Sequence, residues 1–108
     1  MEVSDYISNI TKDGDIIYVY GYVPSIYYYS GRDPPLGLYY IYPYKEHVNE
    51  TEQKRTVEIL KNSNVSVIAL FTGQKSEENN PITYSFIVTE YNLNRTVGEF
   101  DIYTRDDI

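Results

Sequence analysis

Val65–Phe71 reads VSVIALF, seven residues without a charge and apolar on both faces of any strand they form. Such a strand is stable only when both of its faces are covered, so its sheet must lie between layers of helices. The flanking sequence supplies them. Val3, Tyr6, Ile7 and Ile10 recur at i, i+3, i+4, i+7, the stripe of a short amphipathic helix. Asn49, with Glu52 three residues on, is a helix-capping pair. Behind it Gln53, Thr56, Val57 and Leu60 face one way, with Glu50–Lys54 and Lys54–Glu58 at i,i+4 on the wet side. After a polar loop at Gly73–Pro81, a further helix is expected from Pro81 or Ile82 to Tyr91.

Asp15–Tyr44 is the most unusual stretch, with ten of the 14 tyrosines. Lys12–Asp15 is a turn in which Gly14 can take positive φ. Ile16–Tyr20 is β-branched and aromatic throughout and reads as a buried strand. Gly21 breaks it, Pro24 can open a short helix, and Gly31 offers a left-handed stop. Pro34 and Pro35 forbid continuation, and Tyr39–Tyr42 reads as a second strand. At the other end Leu93–Val97 is a short extended piece. Beyond Gly98, a last strand over Glu99–Arg105 alternates Phe100, Ile102 and Thr104 with Asp101, Tyr103 and Arg105.

The order α-β-α-β-α-β-α-β over residues 1–108 predicts one α/β domain, a three-layer, Rossmann-like sandwich with a mostly parallel sheet of four or five strands. Right-handed crossovers place the first strand between the second and the third. The last strand is expected to turn back through Gly98 as an antiparallel edge.

Charge and composition remove several functions. A net charge of −7 without a Lys/Arg cluster argues against nucleic acid and against docking on anionic lipid. The absence of cysteine excludes disulfides and thiolate zinc sites. No apolar run approaches the roughly 20 residues that span a bilayer. The glycines after the first strand, Gly21 and Gly31, are flanked by bulky residues and do not form a phosphate-cradling loop, so neither a nucleotide nor another cofactor is expected. His47 is the only histidine; beside Glu46 and Glu50 it reads as a solvated side chain before a helix rather than an ion site. The carboxylate pairs Asp13/Asp15 and Asp106/Asp107 read as turn and terminal charges. No catalytic residue and no metal site follow.

What remains is a candidate contact surface: Tyr22, Tyr27, Tyr28, Tyr29, Arg32 and Asp33. A phenol combines an apolar face with a hydroxyl and suits sugar or polar-aromatic contacts. Tyr18 and Tyr20, interior to a strand, read as core. Tyr27, Tyr28 and Tyr29 are consecutive on a helix and point in three directions, so at least one is exposed. Arg32 beside Asp33 is either an anion or sugar-hydroxyl ligand or a local ion pair bracing the Pro-Pro turn. Asn-X-Ser/Thr triplets at Asn9, Asn49, Asn64 and Asn94 are candidate glycosylation sites; composition alone predicts about one. Asn9, Asn49 and Asn94 fall at expected element ends.

The segment DYISNITKDGDIIYVYGYVPSIYYYSGRDPP, followed later by VSVIALF and GEFDIYTR, resembles the soluble C-terminal region of polytopic membrane glycosyltransferases. These are similar to protein O-mannosyltransferases and aminoarabinose transferases, which use polyprenyl-phosphate sugars. The matching positions are Gly14, Asp15, Gly21, Pro24, Ile26, Tyr27, Gly31, Arg32, Pro34, Pro35, Gly98, Phe100, Ile102, Tyr103 and Arg105. The resemblance implies an accessory domain of an archaeal or bacterial enzyme, on the extracytoplasmic face of the membrane and inert in isolation. Its partners would be the membrane domain of the same parent chain and a glycan or protein acceptor. The family's catalytic acid lies on a loop between early membrane helices, so none is carried over. A stand-alone α/β enzyme or ligand-binding domain, and a plain protein-interaction module, are the alternatives.

Overall fold

The computed structural model describes residues 2–20, 25–35, 50–72 and 80–105. The expected strand at Tyr39–Tyr42 lies outside them, as do Tyr22, His47, Asn49, Asp106 and Asp107. The elements run α1 (Glu2–Ile10), β1 (Ile16–Tyr20), α2 (Ser25–Ser30), α3 (Glu50–Asn62), β2 (Val65–Phe71), α4 (Pro81–Glu90), β3 (Asn92–Val97) and β4 (Phe100–Thr104). The four strands form one mixed sheet in the order β1-β2-β4-β3.

β1 and β2 are parallel, as the crossover argument requires of the strands at Ile16–Tyr20 and Val65–Phe71. β4 runs antiparallel to both β2 and β3. The expectation of a mostly parallel, Rossmann-like sheet is therefore corrected for the described strands, where antiparallel pairing predominates. The cause is local. Only Tyr91 separates α4 from β3, and only Gly98 and Glu99 separate β3 from β4, with Gly98 at φ 61°. That connection makes a hairpin, not a crossover.

The position of the last strand also differs from expectation. Among the described strands β4 is interior and β3 forms an edge. Burial explains the inversion. β4 buries Phe100 and Ile102 on one face and Tyr103 on the other, whereas Asn92, Leu93, Asn94, Arg95 and Thr96 of β3 are all exposed. The strand with apolar side chains on both faces takes the place covered on both faces.

Helices cover the sheet on both sides. On one side Val3 and Ile7 of α1 and Ile26 of α2 pack on Ile17, Val19, Val67, Ala69, Phe100 and Ile102. On the other, Leu60 of α3 and Ile87 of α4 pack on Tyr18, Tyr20, Ile68, Leu70 and Tyr103. Each large apolar side chain so buried contributes about 1.5–3 kcal/mol. The β1/β2 register advances by an extra residue at Ser66, between the pairs Ile16–Val65 and Ile17–Val67. The Tyr91 hydroxyl donates to the Val65 carbonyl at 2.7 Å beside that irregularity.

Candidate functional site

The segment from Ser25 to Pro35 is built around the outer edge of β1. A six-residue helix such as α2 has little stability of its own, so tertiary contacts must hold it. Ile26 anchors it from below, fully buried. Gly31 ends it at φ 70°, its N–H donating to the Tyr27 carbonyl at 3.1 Å.

Alternate residues of a strand direct their N–H groups to the same side. At β1 those of Ile17 and Val19 are taken up by this segment. The Ile17 N–H donates to the Asp33 carbonyl at 3.0 Å, and the Val19 N–H donates to the Tyr27 hydroxyl at 2.8 Å. Burial pushes the Tyr27 phenol up to about 12, opposed by the Val19 N–H, which favours the anion. Tyr27 thus faces the sheet.

Arg32 locks the segment to α1. Its side chain is 9% exposed and pairs with Asp13 at 3.1 Å, not with the adjacent Asp33. Its Nε donates to the Thr11 hydroxyl at 2.8 Å, and its Nη2 donates to the Ser8 and Thr11 carbonyls, each at 3.3 Å. Nη1 also reaches the Ser30 and Gly31 carbonyls at 3.4 Å. A cation among the last carbonyls of two helices is favourably placed against both dipoles. The Ser8 hydroxyl adds a 2.7 Å bond to the Ser30 carbonyl. Arg32 braces α2 against the end of α1, with Asp13 as its ion-pair partner, rather than pairing with Asp33 to brace the Pro-Pro turn.

With Tyr27 turned inward, Tyr28 and Tyr29 project outward, 81% and 60% exposed. Their rings meet edge to face, 5.2 Å apart at an interplanar angle of 79°. The Asp33 side chain is exposed beside the turn, and Pro35 is buried beneath it. Of the six residues singled out from sequence, Tyr28, Tyr29 and Asp33 are presented to solvent, Tyr27 and Arg32 form the support, and Tyr22 lies outside the described residues.

Other candidates fall into ordinary roles. Asp15 accepts the Lys12 N–H at 2.9 Å, closing the turn around Gly14. Among the described residues, no group of three or more His, Asp or Glu side chains could hold a metal ion, and no helix is long and apolar enough to cross a membrane. A cleft of about 190 Å³ between the C-terminal ends of α3 and α4 is lined in part by Lys61, Asn64, Glu90 and Arg105. Asn9 is exposed on α1, and Asn64 stands at φ 53° with its Oδ1 accepting from Arg105. Asn94 lies within β3 rather than at its end.

The sequence reading sets Gln53 on one face of its helix without giving it a role. Gln53, buried on the inward stripe of α3, uses its Oε1 to accept the Ile82 and Thr83 N–H groups at 2.9 and 3.3 Å. It caps α4 from another helix. The N-cap residue Asn80 makes no side-chain cap bond and instead hydrogen-bonds Tyr20. A glutamine on an otherwise buried face was the available clue.

No family model, no curated protein and no solved structure matches this chain.

Proposed function

We propose that this chain is a non-catalytic accessory domain of a larger membrane glycosyltransferase that uses polyprenyl-phosphate sugars. In this reading it stands on the extracytoplasmic face, and α2 docks on the membrane domain near the mouth of the active site to help position the acceptor. The observation that carries the reading is the outward pair Tyr28–Tyr29 on a helix fixed by Arg32 and Tyr27. Rigidly held tyrosines lose little conformational freedom on docking and bury large apolar area, as dominant interface residues do. The resemblance of Asp5–Pro35, VSVIALF and GEFDIYTR to such enzymes supplies the kind of parent.

The test is the double substitution Tyr28→Ala/Tyr29→Ala in the parent enzyme. Loss of two interface anchors should lower sugar transfer by roughly ten-fold or more, while the melting temperature of the isolated domain stays unchanged. Undiminished transfer refutes the docking role. Arg32→Ala cannot serve here, because it removes the support together with the contact.

The alternative is a small ligand-binding domain, against which the size of the cleft between α3 and α4 weighs. At about 190 Å³ it is below the ~300–1,000 Å³ typical of small-molecule and cofactor sites. A bound NAD, ATP, FMN or nucleotide sugar at one hundred times Kd would stabilise the fold by about 2.7 kcal/mol. A thermal shift of that size with any of them would favour this second reading.

A further inference from the structure

Three Asn-X-Ser/Thr triplets fall within the described residues, and the fold gives each a different setting. We propose that, of the three triplets in the described residues, Asn94 is the N-glycan acceptor, and that Asn9 and Asn64 are closed to modification once the chain has folded. The inference rests on the extracytoplasmic location proposed above, where the sugar donor and its transferase would be met.

An N-glycosyltransferase must reach the asparagine amide and the hydroxyl two residues on, with the intervening chain free to bend into its cleft. At Asn9 the asparagine is exposed, but the hydroxyl is not free. Thr11 Oγ1 donates to the Ile7 carbonyl at 2.7 Å and accepts from Arg32 Nε at 2.8 Å. Presenting that triplet means unwinding the end of α1 and opening the Arg32 cage. At Asn64 the next two residues enter the central strand at once, with Val65 0% and Ser66 7% exposed. Reaching Ser66 means pulling β2 out of the sheet.

Asn94 is different. Asn94, Arg95 and Thr96 are all exposed and lie on β3, the sheet edge, with no described strand beyond it. The β3/β4 register shifts between Leu93 and Arg95, so Asn94 is the residue left without a ladder partner. The bulge leaves Asn94 outside the ladder, so presenting the triplet opens only the edge pairs of Arg95 with Ile102 and Thr96 with Asp101, not a strand of the sheet interior. Tyr6 donates its hydroxyl to Asn94 Oδ1, the oxygen that a glycosylated asparagine keeps, so this bond and a glycan are compatible. The Thr96 hydroxyl donates to Asp101 at 2.7 Å on the exposed surface, a contact that water can replace.

In the transfer, Asn94 Nδ2 attacks the anomeric carbon of a polyprenyl-phosphate-linked glycan. The N–C bond forms as the C–O bond to phosphate breaks. The electron pair leaves with the polyprenyl phosphate, and one amide proton passes to a carboxylate of the transferase. No oxidation or reduction occurs. The product would place a large polar group on an open strand edge, a position where strand-to-strand association otherwise threatens.

The experiment uses purified components, so its outcome does not depend on the identity of a parent enzyme. The folded chain and, separately, its proteolytic peptides are incubated with an N-oligosaccharyltransferase that accepts the three-residue triplet, plus its lipid-linked donor. Site occupancy is read by glycopeptide mass spectrometry. In the folded chain Asn94 should be modified, while Asn9 and Asn64 react at an initial rate at least about ten-fold lower, because they require local unfolding. In the peptides that preference should vanish, and Asn94→Gln should remove the dominant glycan among these three triplets of the folded chain. Comparable occupancy at Asn9 or Asn64 in the folded chain would overturn the proposal. So would an unmodified Asn94, whether or not its peptide reacts.

Discussion

The Tyr27 hydroxyl stands where the carbonyl of a neighbouring strand would stand, accepting the Val19 N–H of β1 at 2.8 Å. A side chain thereby serves as acceptor beside β1, the outermost described strand on that side, and the tyrosine run divides into one structural member and two exposed ones. Tyr27→Phe keeps the ring and strands a buried donor, so it should cost about 1–3 kcal/mol in a urea titration. Tyr28→Phe should stay within about 0.5 kcal/mol. Equal effects would mean that the Val19 bond contributes nothing.

Buried phenols also set a limit on alkaline stability. Burial raises Tyr20 and Tyr27 to about 12 in the folded state, against 10.0 for the free group, and Tyr103 shifts upward as well. Below pH 10 both states are protonated and stability is intact. As pH rises towards 12, the unfolded chain releases protons that the fold retains, so stability falls by up to about 1.4 kcal/mol per pH unit per tyrosine. Urea midpoints at about pH 9 and about pH 11 should differ accordingly, and Tyr20→Phe should shrink the difference. A flat profile over this window would contradict the assigned burial.

Arg32 is a structural residue on the hydrogen bonds it makes. Arg32→Ala removes the charged donor from the carbonyls ending α1 and α2 and should cost roughly 2–4 kcal/mol. Arg32→Lys should recover only part of this, since an ammonium cannot reproduce the guanidinium fork. Asp13→Asn should leave the denaturation midpoint unchanged, because that carboxylate is fully exposed. Should Arg32→Ala prove neutral, the brace would be disproved.

Gln53 joins two helices through one oxygen. Gln53→Ala leaves the first-turn donors of α4 without their acceptor and should cost roughly 1–3 kcal/mol. Amide exchange at Ile82 and Thr83 should accelerate more than at Ile87. Uniform acceleration along α4 would indicate general loosening instead.

The described α and β elements were legible because their periodicity is local. VSVIALF demanded cover on both faces and has it. Gly14 and Gly31 adopt the positive φ that their turn positions suggested, and Gly98 at the hairpin does so as well. The order of the last two strands was not legible, since a hairpin at Gly98 fits with either arm inward. The difference lies in how NLNRTV and FDIYT compare when both faces must be buried. The α2 region was half legible. Helical spacing guaranteed an exposed tyrosine, but identifying Tyr27 as the inward one required knowing that the Val19 N–H needs an acceptor. Arg32 was ambiguous for a similar reason, because its ion-pair partner, Asp13, comes from a distant turn.

The interior place of β4 bears on how the chain reaches its fold. β2 pairs with β1 on one side and with β4 on the other, Phe71 meeting Phe100 and Val67 meeting Thr104. During synthesis VSVIALF therefore emerges well before one of its two neighbours exists. An uncharged heptapeptide without proline or glycine is the kind of segment that stacks with its own copies. Until the hairpin arrives, nascent or refolding molecules compete with one another for that edge. Dilution and chaperone capture, more than final stability, should govern the yield of folded protein.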